Sequence, residues 1–301
     1  MPAAADFQSS NLFDLTGLVA LVTGGGSGIG LMISQGLAAN GAKVYITGRR
    51  LEVLESTAKE WAQQQVGGVM IPLQMDATNK ESIKAARDVV AEKEGRLHIL
   101  VNNAGQSGPL SNFLNEPSPS AQKEASSLGP ALFAQESFEE WSNLYAVNTF
   151  SIYFVTVAFL DLLDKGSKDR EGYTSNVINI TSISGLIKLA QRHFCYNSSK
   201  AAGSHLTKML SSEFAVKGIP VRVNAIAPGV YESGMTHDVI EGSEATDKVG
   251  MPIWSIPAKR PGSAQEMAGT VVYLASPAGE YMNGQELVID GGYLAVNPSR
   301  T

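Results

Sequence analysis

Short, continuous apolar runs alternate along this chain with longer stretches in which apolar positions recur every third or fourth residue. The runs at 18–23, 43–47, 69–74, 98–102, 176–181, 221–227 and 286–289 predict strands. The helical spacing predicts helices over 29–39, 51–65, 80–94, 138–163, 195–216 and 264–275. The first run, Leu-Val-Ala-Leu-Val-Thr, does not alternate and is bounded by glycines, the pattern of a strand buried on both faces. Asn40-Gly41 is a stop signal for the first helix. Strand and helix alternate with short connections, which calls for parallel strands joined by right-handed crossovers. The predicted class is α/β: a doubly wound parallel sheet of about seven strands with helices on both faces, one domain over residues 15–301.

The rhythm breaks in a few places. Residues 106–140 are rich in Ser, Pro, Asn and Ala and read as an insertion or long loop. Residues 165–175 read as a polar loop, and 231–260, with scattered Gly and Pro, as a mobile lid. Residues 1–14 form an N-terminal arm, its first eleven residues disordered or loosely docked. There are no repeats and no interdomain linker.

Composition narrows the function. A hydrophobic fraction of 44% with 17% charged residues suits a globular protein with a large core. The net charge of −6 argues against nucleic acid or an anionic membrane as partner. The one cysteine, Cys195, fits a reducing compartment. No stretch approaches twenty apolar residues, and the start lacks a signal peptide, so a cytoplasmic protein is expected. His98, His193, His205 and His237 lack metal-ligand spacing, and no metal site is expected.

Two clusters carry chemistry. The first predicted strand runs into Thr23-Gly24-x-x-x-Gly28-x-Gly30, which opens a helix. Glycines let the backbone approach phosphate, and the free N–H groups of a first helical turn receive a pyrophosphate, so this is a Rossmann-type dinucleotide site. At the end of the second strand stands Tyr45-Ile-Thr-Gly48-Arg49-Arg50, with no acid until Glu52. An acid there would bond both ribose hydroxyls, whereas an arginine accommodates a 2′-phosphate, so NADP(H) is expected over NAD, with Arg49 the contact. The second cluster is Tyr196-x-x-x-Lys200, one helical turn apart, with Ser182 upstream. The ammonium is expected to lower the phenol's pKa for proton transfer, and Ser182 to hold a carbonyl or alkoxide oxygen against Tyr196.

Together with Asn102-Asn103-Ala104-Gly105 and Pro228-Gly229 after a strand, these motifs resemble the short-chain dehydrogenase/reductases of the classical type. The resemblance spans residues 15–294, and within that family the chain is similar to 3-oxoacyl-(acyl carrier protein) reductases, including the rhamnolipid type. It implies Tyr196 as catalytic acid/base, Lys200 as its modulator and a holder of the nicotinamide ribose, and Ser182 as the residue polarising the carbonyl. Asn148 would anchor a water relay to the lysine. Ser182 lies fourteen residues before Tyr196 where thirteen is commoner, implying a one-residue loop insertion and leaving Ser184 as an alternative. Cofactor contacts are implied for Gly24, Ser27, Gly28, Ile29 and Gly30, for Asp76 at the adenine, and for Asn103, Ala104 and Gly105. Pro228, Gly229, Val230 and Ser233 would close over the nicotinamide, with Tyr196 and Lys200 beneath. The implied reaction is NADP-dependent reduction of a ketone to a secondary alcohol. The alternatives are an NAD-dependent alcohol or polyol dehydrogenase and a non-catalytic dinucleotide sensor. A small carbonyl or alcohol substrate and a homo-oligomer, tetramer or dimer, complete the expectation.

Overall fold

The computed structural model describes residues 4–115, 124–231 and 254–299. Its strands are β1 Val19–Thr23, β2 Lys43–Gly48, β3 Met70–Gln74, β4 Ile99–Asn102, β5 Ser175–Ile180, β6 Val221–Pro228 and β7 Glu286–Ile289. They form one parallel sheet in the order 3-2-1-4-5-6-7, whose strand order reverses beside β1, between β1 and β4. The helices are α1 Gly28–Ala39, α2 Leu51–Ala62, α3 Lys80–Glu94, α4 Ala125–Gln135, α5 Phe138–Tyr145, α6 Ser151–Asp169, α7 Phe194–Val216 and α8 Ala264–Ala275.

Each central strand feeds both faces. Ala20 and Val22 of β1, with Ile99 and Val101 of β4, pack against α1, α2 and α8 through Ile33, Leu37, Leu54, Met267 and Val271. Val19, Leu21 and Leu100 point the other way, to Val90 of α3, Val155 and Phe159 of α6, and Leu210 and Phe214 of α7. Alternation along a strand buried on both faces produces these two cores, each such side chain contributing about 1.5–3 kcal/mol.

The differences from the sequence reading have local causes. The polar loop expected over 165–175 is shorter, 170–174, because α6 continues to Asp169 and β5 starts at Ser175. The polar look of 165–169 is a solvated helix face on which Lys165 and Lys168 pair with Asp161 and Asp164 one turn back. The 106–140 insertion is partly helical, since α4 lies within it and α5 begins at Phe138 behind a capping box of Ser137 and Glu140. α4 buries no side chain, which is why its composition reads as loop. The N-terminal arm includes a helical turn at Ser9–Leu12, none of it buried. Between α5 and α6 the backbone passes through a π-helical segment, Ala146–Phe150, inside what the spacing presents as one regular helix. By length and composition Phe138–Asp169 could cross a bilayer, contrary to the sequence expectation, but half of its apolar stretch is buried inside the protein. Of the expected lid, residues 232–253 lie outside the described residues.

Candidate active site

The site forms at the carboxyl ends of the strands, where chain crossing leaves a crevice in doubly wound sheets. β1 ends at Thr23, and the chain turns into α1 through Gly24 at φ +65° and Gly28 at φ +50°. A Cβ at Gly30 would lie 2.1 Å from the Gly24 carbonyl oxygen, so only glycine lets the turn close this tightly. Thr23 holds the neighbouring strand end: its hydroxyl oxygen accepts from the N–H groups of Asn103 and Ala104, both at 2.9 Å. The Asn103 amide donates to the Thr23 carbonyl at 2.9 Å and faces the Gly24 carbonyl at 3.3 Å. Asn103, expected along the cofactor, therefore spends its side chain on the shape of the glycine loop. Thr23 heads the glycine motif in the sequence, and its hold on the Asn103 strand end is a role that only the fold reveals.

Ser27 sits at the N-cap of α1 without capping it, so the first-turn N–H groups of Gly28, Ile29 and Gly30 keep their positive end for a ligand. A groove of about 340 Å³ runs from there past Gly24, Gly48, Arg49, Asp76 and Thr78 to Ala104, Gly105 and Val147. This cradle fits a dinucleotide: glycine backbone and a helix N-terminus at its centre, a cationic end at Arg49 and Arg50. Both arginines are exposed. Asp76 is held in a turn, accepting from the N–H and hydroxyl of Thr78 at 2.9 and 2.7 Å. Burial pushes its carboxyl up, but the Thr78 bonds and the nearby Arg49 charge outweigh this and hold it below the ordinary Asp value. It does not cap α3, since Asn79 does.

Gly105 links the groove to the reacting groups. A Cβ there would stand 3.4 Å from Asn148 Oδ1 and 3.7 Å from Lys200 Nζ. Asn148 lies in the π-helical segment and is clamped: Oδ1 accepts from the Gln106 N–H at 2.9 Å, and Nδ2 donates to the Gln106 carbonyl at 3.0 Å and faces Ser199 Oγ at 3.2 Å. Such bulges frequently mark functional sites because they redirect side chains and backbone groups. Lys200 is buried and donates to the Ile180 carbonyl at 2.9 Å, its Nζ 5.7 Å from the Tyr196 ring centre. Burial pulls its ammonium down to about 8.

Ser182 follows β5 and hydrogen-bonds Tyr196, while its oxygen also accepts from the Ser184 N–H at 3.1 Å. Of the two candidate serines, it is Ser182 whose hydroxyl lies against Tyr196. The expected lowering of the Tyr196 pKa is not what this arrangement gives. Burial raises the phenol above its ordinary value, with the Ser182 bond opposing, so Tyr196 stays protonated at neutral pH. Cys195, its neighbour, is fully buried and burial pushes its thiol up to about 11, which leaves it inert.

The rim is irregular. Gln191 and Arg192 both adopt left-handed backbone, at φ +51° and +66°, just before α7. His193 then packs edge-on to Tyr196, ring centres 6.1 Å apart. The Arg192 carbonyl accepts from the Ser111 N–H at 2.8 Å, Gln191 donates to the Tyr293 hydroxyl, and Lys188 N–H donates to the Pro298 carbonyl at 2.9 Å. Of the residues expected over the nicotinamide, Pro228 closes β6 and Gly229 packs on Asp290. Val230 lines a different cavity, of about 620 Å³, with Tyr231, Ile256 and Ile289, and not the glycine-loop groove. That larger cavity includes none of Ser182, Tyr196 and Lys200. Ser233 lies outside the described residues. Among those described, no cluster of metal-ligating side chains occurs.

A glycine-lined dinucleotide groove leading to a serine, a tyrosine and a lysine defines an oxidoreductase that works on a CH–OH/C=O pair with NAD(P). Residues 18–244 match the family model described as short chain dehydrogenase. The chain is 39% identical to the short-chain dehydrogenase/reductase VdtF of Byssochlamys spectabilis, over 97% of each chain. It is 33% identical to the rhamnolipids biosynthesis 3-oxoacyl-[acyl-carrier-protein] reductase of Pseudomonas aeruginosa, covering 93% of this chain and 98% of that one. Among solved structures, the Pseudomonas aeruginosa RhlG/NADP active-site complex superposes with a TM-score of 0.78 at 32% identity, covering 94% of this chain and 98% of the other. The chain belongs to the short-chain dehydrogenase/reductase family.

Proposed function

We propose that this protein is an NADP-dependent reductase that converts a ketone, of the 3-oxoacyl or secondary-metabolite type, into a secondary alcohol in the cytoplasm. The observation that carries the reading is the groove itself, which joins an exposed arginine pair at one end to Lys200 and Asn148 through Gly105 at the other. The bound dinucleotide would supply the hydride, held by the α1 N-terminus, with Arg49 on the 2′-phosphate and Asp76 beside the adenine. Tyr196 donates the proton to the carbonyl oxygen, and Ser182 donates a hydrogen bond to the same oxygen. A phenol that is protonated at neutral pH can give its proton, which suits the reductive direction. Lys200, charged below pH about 8, stabilises the phenolate that remains, and Asn148 orders the polar chain through which that proton is replaced. The relative that bears the 3-oxoacyl name and the neighbour solved with NADP support the same reading.

Titration of the purified protein with NADPH and NADH, beside Arg49→Ala, tests the cofactor assignment. NADPH binds at least tenfold tighter, and the substitution removes most of that preference, since a charge-assisted phosphate contact contributes about 1.5–3 kcal/mol. Equal binding of the two cofactors would overturn it. Phe150, at the end of the π-helical segment, and Tyr153, Phe154 and Val157 on α6 are exposed, which supports self-association through this face, read by light scattering as a mass of two or four chains.

A further inference from the structure

Outside the reacting groups, one carboxylate oxygen touches both elements that carry them. Glu286 opens β7, two strands from β5. Its Oε1 accepts from the Thr181 hydroxyl at 2.6 Å and from the Ser204 hydroxyl at 2.7 Å. Thr181 immediately precedes Ser182, and Ser204 stands one helical turn after Lys200. Both hydroxyls also have a backbone alternative, the Ile226 carbonyl at 3.0 Å for Thr181 and the Lys200 carbonyl at 3.1 Å for Ser204. The shorter, charge-assisted bonds to Glu286 are the stronger ones.

A carboxylate is a costly choice for this position if cohesion were its only purpose. The rest of β7 is Leu-Val-Ile, and among the described residues Glu286 has no ion-pair partner. Replacing partly buried charge by a well-packed apolar side chain is often neutral or stabilising. What an apolar residue could not do is hold two hydroxyls from two different elements on a single atom.

We infer that Glu286 is a positioning residue, which fixes the strand end bearing Ser182 against the helix bearing Tyr196 and Lys200. This rests on the reading that those three residues perform the reduction. Without the carboxylate the Thr181 hydroxyl is left to the Ile226 carbonyl and the Ser204 hydroxyl to the Lys200 carbonyl, and the Ser182 to Tyr196 spacing loses its tie.

The test uses full-length Glu286→Leu, Glu286→Gln, Thr181→Val and Glu286→Leu/Thr181→Val. With a reducible ketone, Glu286→Leu lowers kcat about tenfold, because misplacement of a reacting group by ~1 Å is enough to do so. The KM for NADPH stays within about twofold and the melting temperature does not fall. Glu286→Gln, whose amide oxygen accepts the same two hydroxyls, recovers to within about threefold of wild type, and Thr181→Val adds little to Glu286→Leu. Amide hydrogen exchange, which needs no substrate, speeds up in residues 181–185 and 194–204 of Glu286→Leu and is unchanged in α1. Unchanged exchange there, or an unchanged kcat, overturns the inference. Loss of kcat only in step with loss of melting temperature overturns it too. A wild-type protein that reduces no ketone, with exchange altered as described, leaves the tie standing and removes the reductase reading instead.

Discussion

The floor of the cleft and its rim meet at α7, yet they are held by opposite means. On the floor, Ser182, Asn148 and Lys200 are all buried and sit at the ends or interiors of regular elements, each engaged in hydrogen bonds to neighbours close in the fold. The rim, residues 186–193, has two left-handed residues and is pinned by distant pieces of chain. Ser111 from the insertion holds one side, and Tyr293 and Pro298 from the C-terminal segment hold the other. Non-glycine residues in left-handed backbone each cost about 1–3 kcal/mol and persist only where surroundings enforce them. The difference separates two demands: the chemistry needs fixed spacing, whereas the choice of substrate can drift with loops and tails without disturbing it.

The sharpest way to break the floor is at its cofactor end. Gly30→Ala places a methyl against the rigid Gly24 carbonyl, and NADPH affinity falls about 100-fold with the rim untouched, as isothermal titration would show. Lys200→Met comes next. It removes a buried ammonium on which the proposed reaction depends, so the rate falls about 100-fold while the melting temperature at pH 7 holds or rises. The pH dependence follows from the same group. Burial lowers the folded-state pKa to about 8, so between pH 8 and the ordinary lysine value the unfolded chain binds more protons. That site therefore adds stability as pH rises from 8 to about 10, a slope that disappears in Lys200→Met thermal melts. The smallest effect belongs to the rim. Tyr293→Phe releases Gln191, and KM for the ketone changes about threefold with kcat unchanged, the scale of one net hydrogen bond of ~0.5–1.5 kcal/mol. A Tyr293→Phe effect on kcat alone would erase the distinction between floor and rim.

The floor was legible in the sequence because residue identity and local spacing carry it. Tyr196 and Lys200 share a helix face, and the glycine loop follows the first buried strand. The π-helical segment was not, since Ala-Val-Asn-Thr-Phe has an unremarkable helical composition and the extra residue per turn leaves no periodic mark over so short a stretch. Nor was the raised Tyr196 pKa, because spacing places the ammonium near the phenol but says nothing of how far each is withdrawn from solvent. The rim was the least legible part. Gln191 meets Tyr293 across 102 residues, and no local pattern announces such a contact. Asn103 shows the intermediate case: its place beside the groove followed from the motif, while its amide's work on the Gly24 turn required the structure.

In the proposed reduction Tyr196 gives the proton as hydride reaches the carbonyl. The most direct measurement is the single-turnover oxidation of NADPH by a saturating 3-oxoacyl thioester, followed by stopped-flow absorbance for wild type and Tyr196→Phe. In Tyr196→Phe the hydride-transfer rate falls roughly 10²–10⁴-fold, with NADPH affinity preserved. A Tyr196→Phe protein that transfers hydride at the wild-type rate would contradict this role of Tyr196.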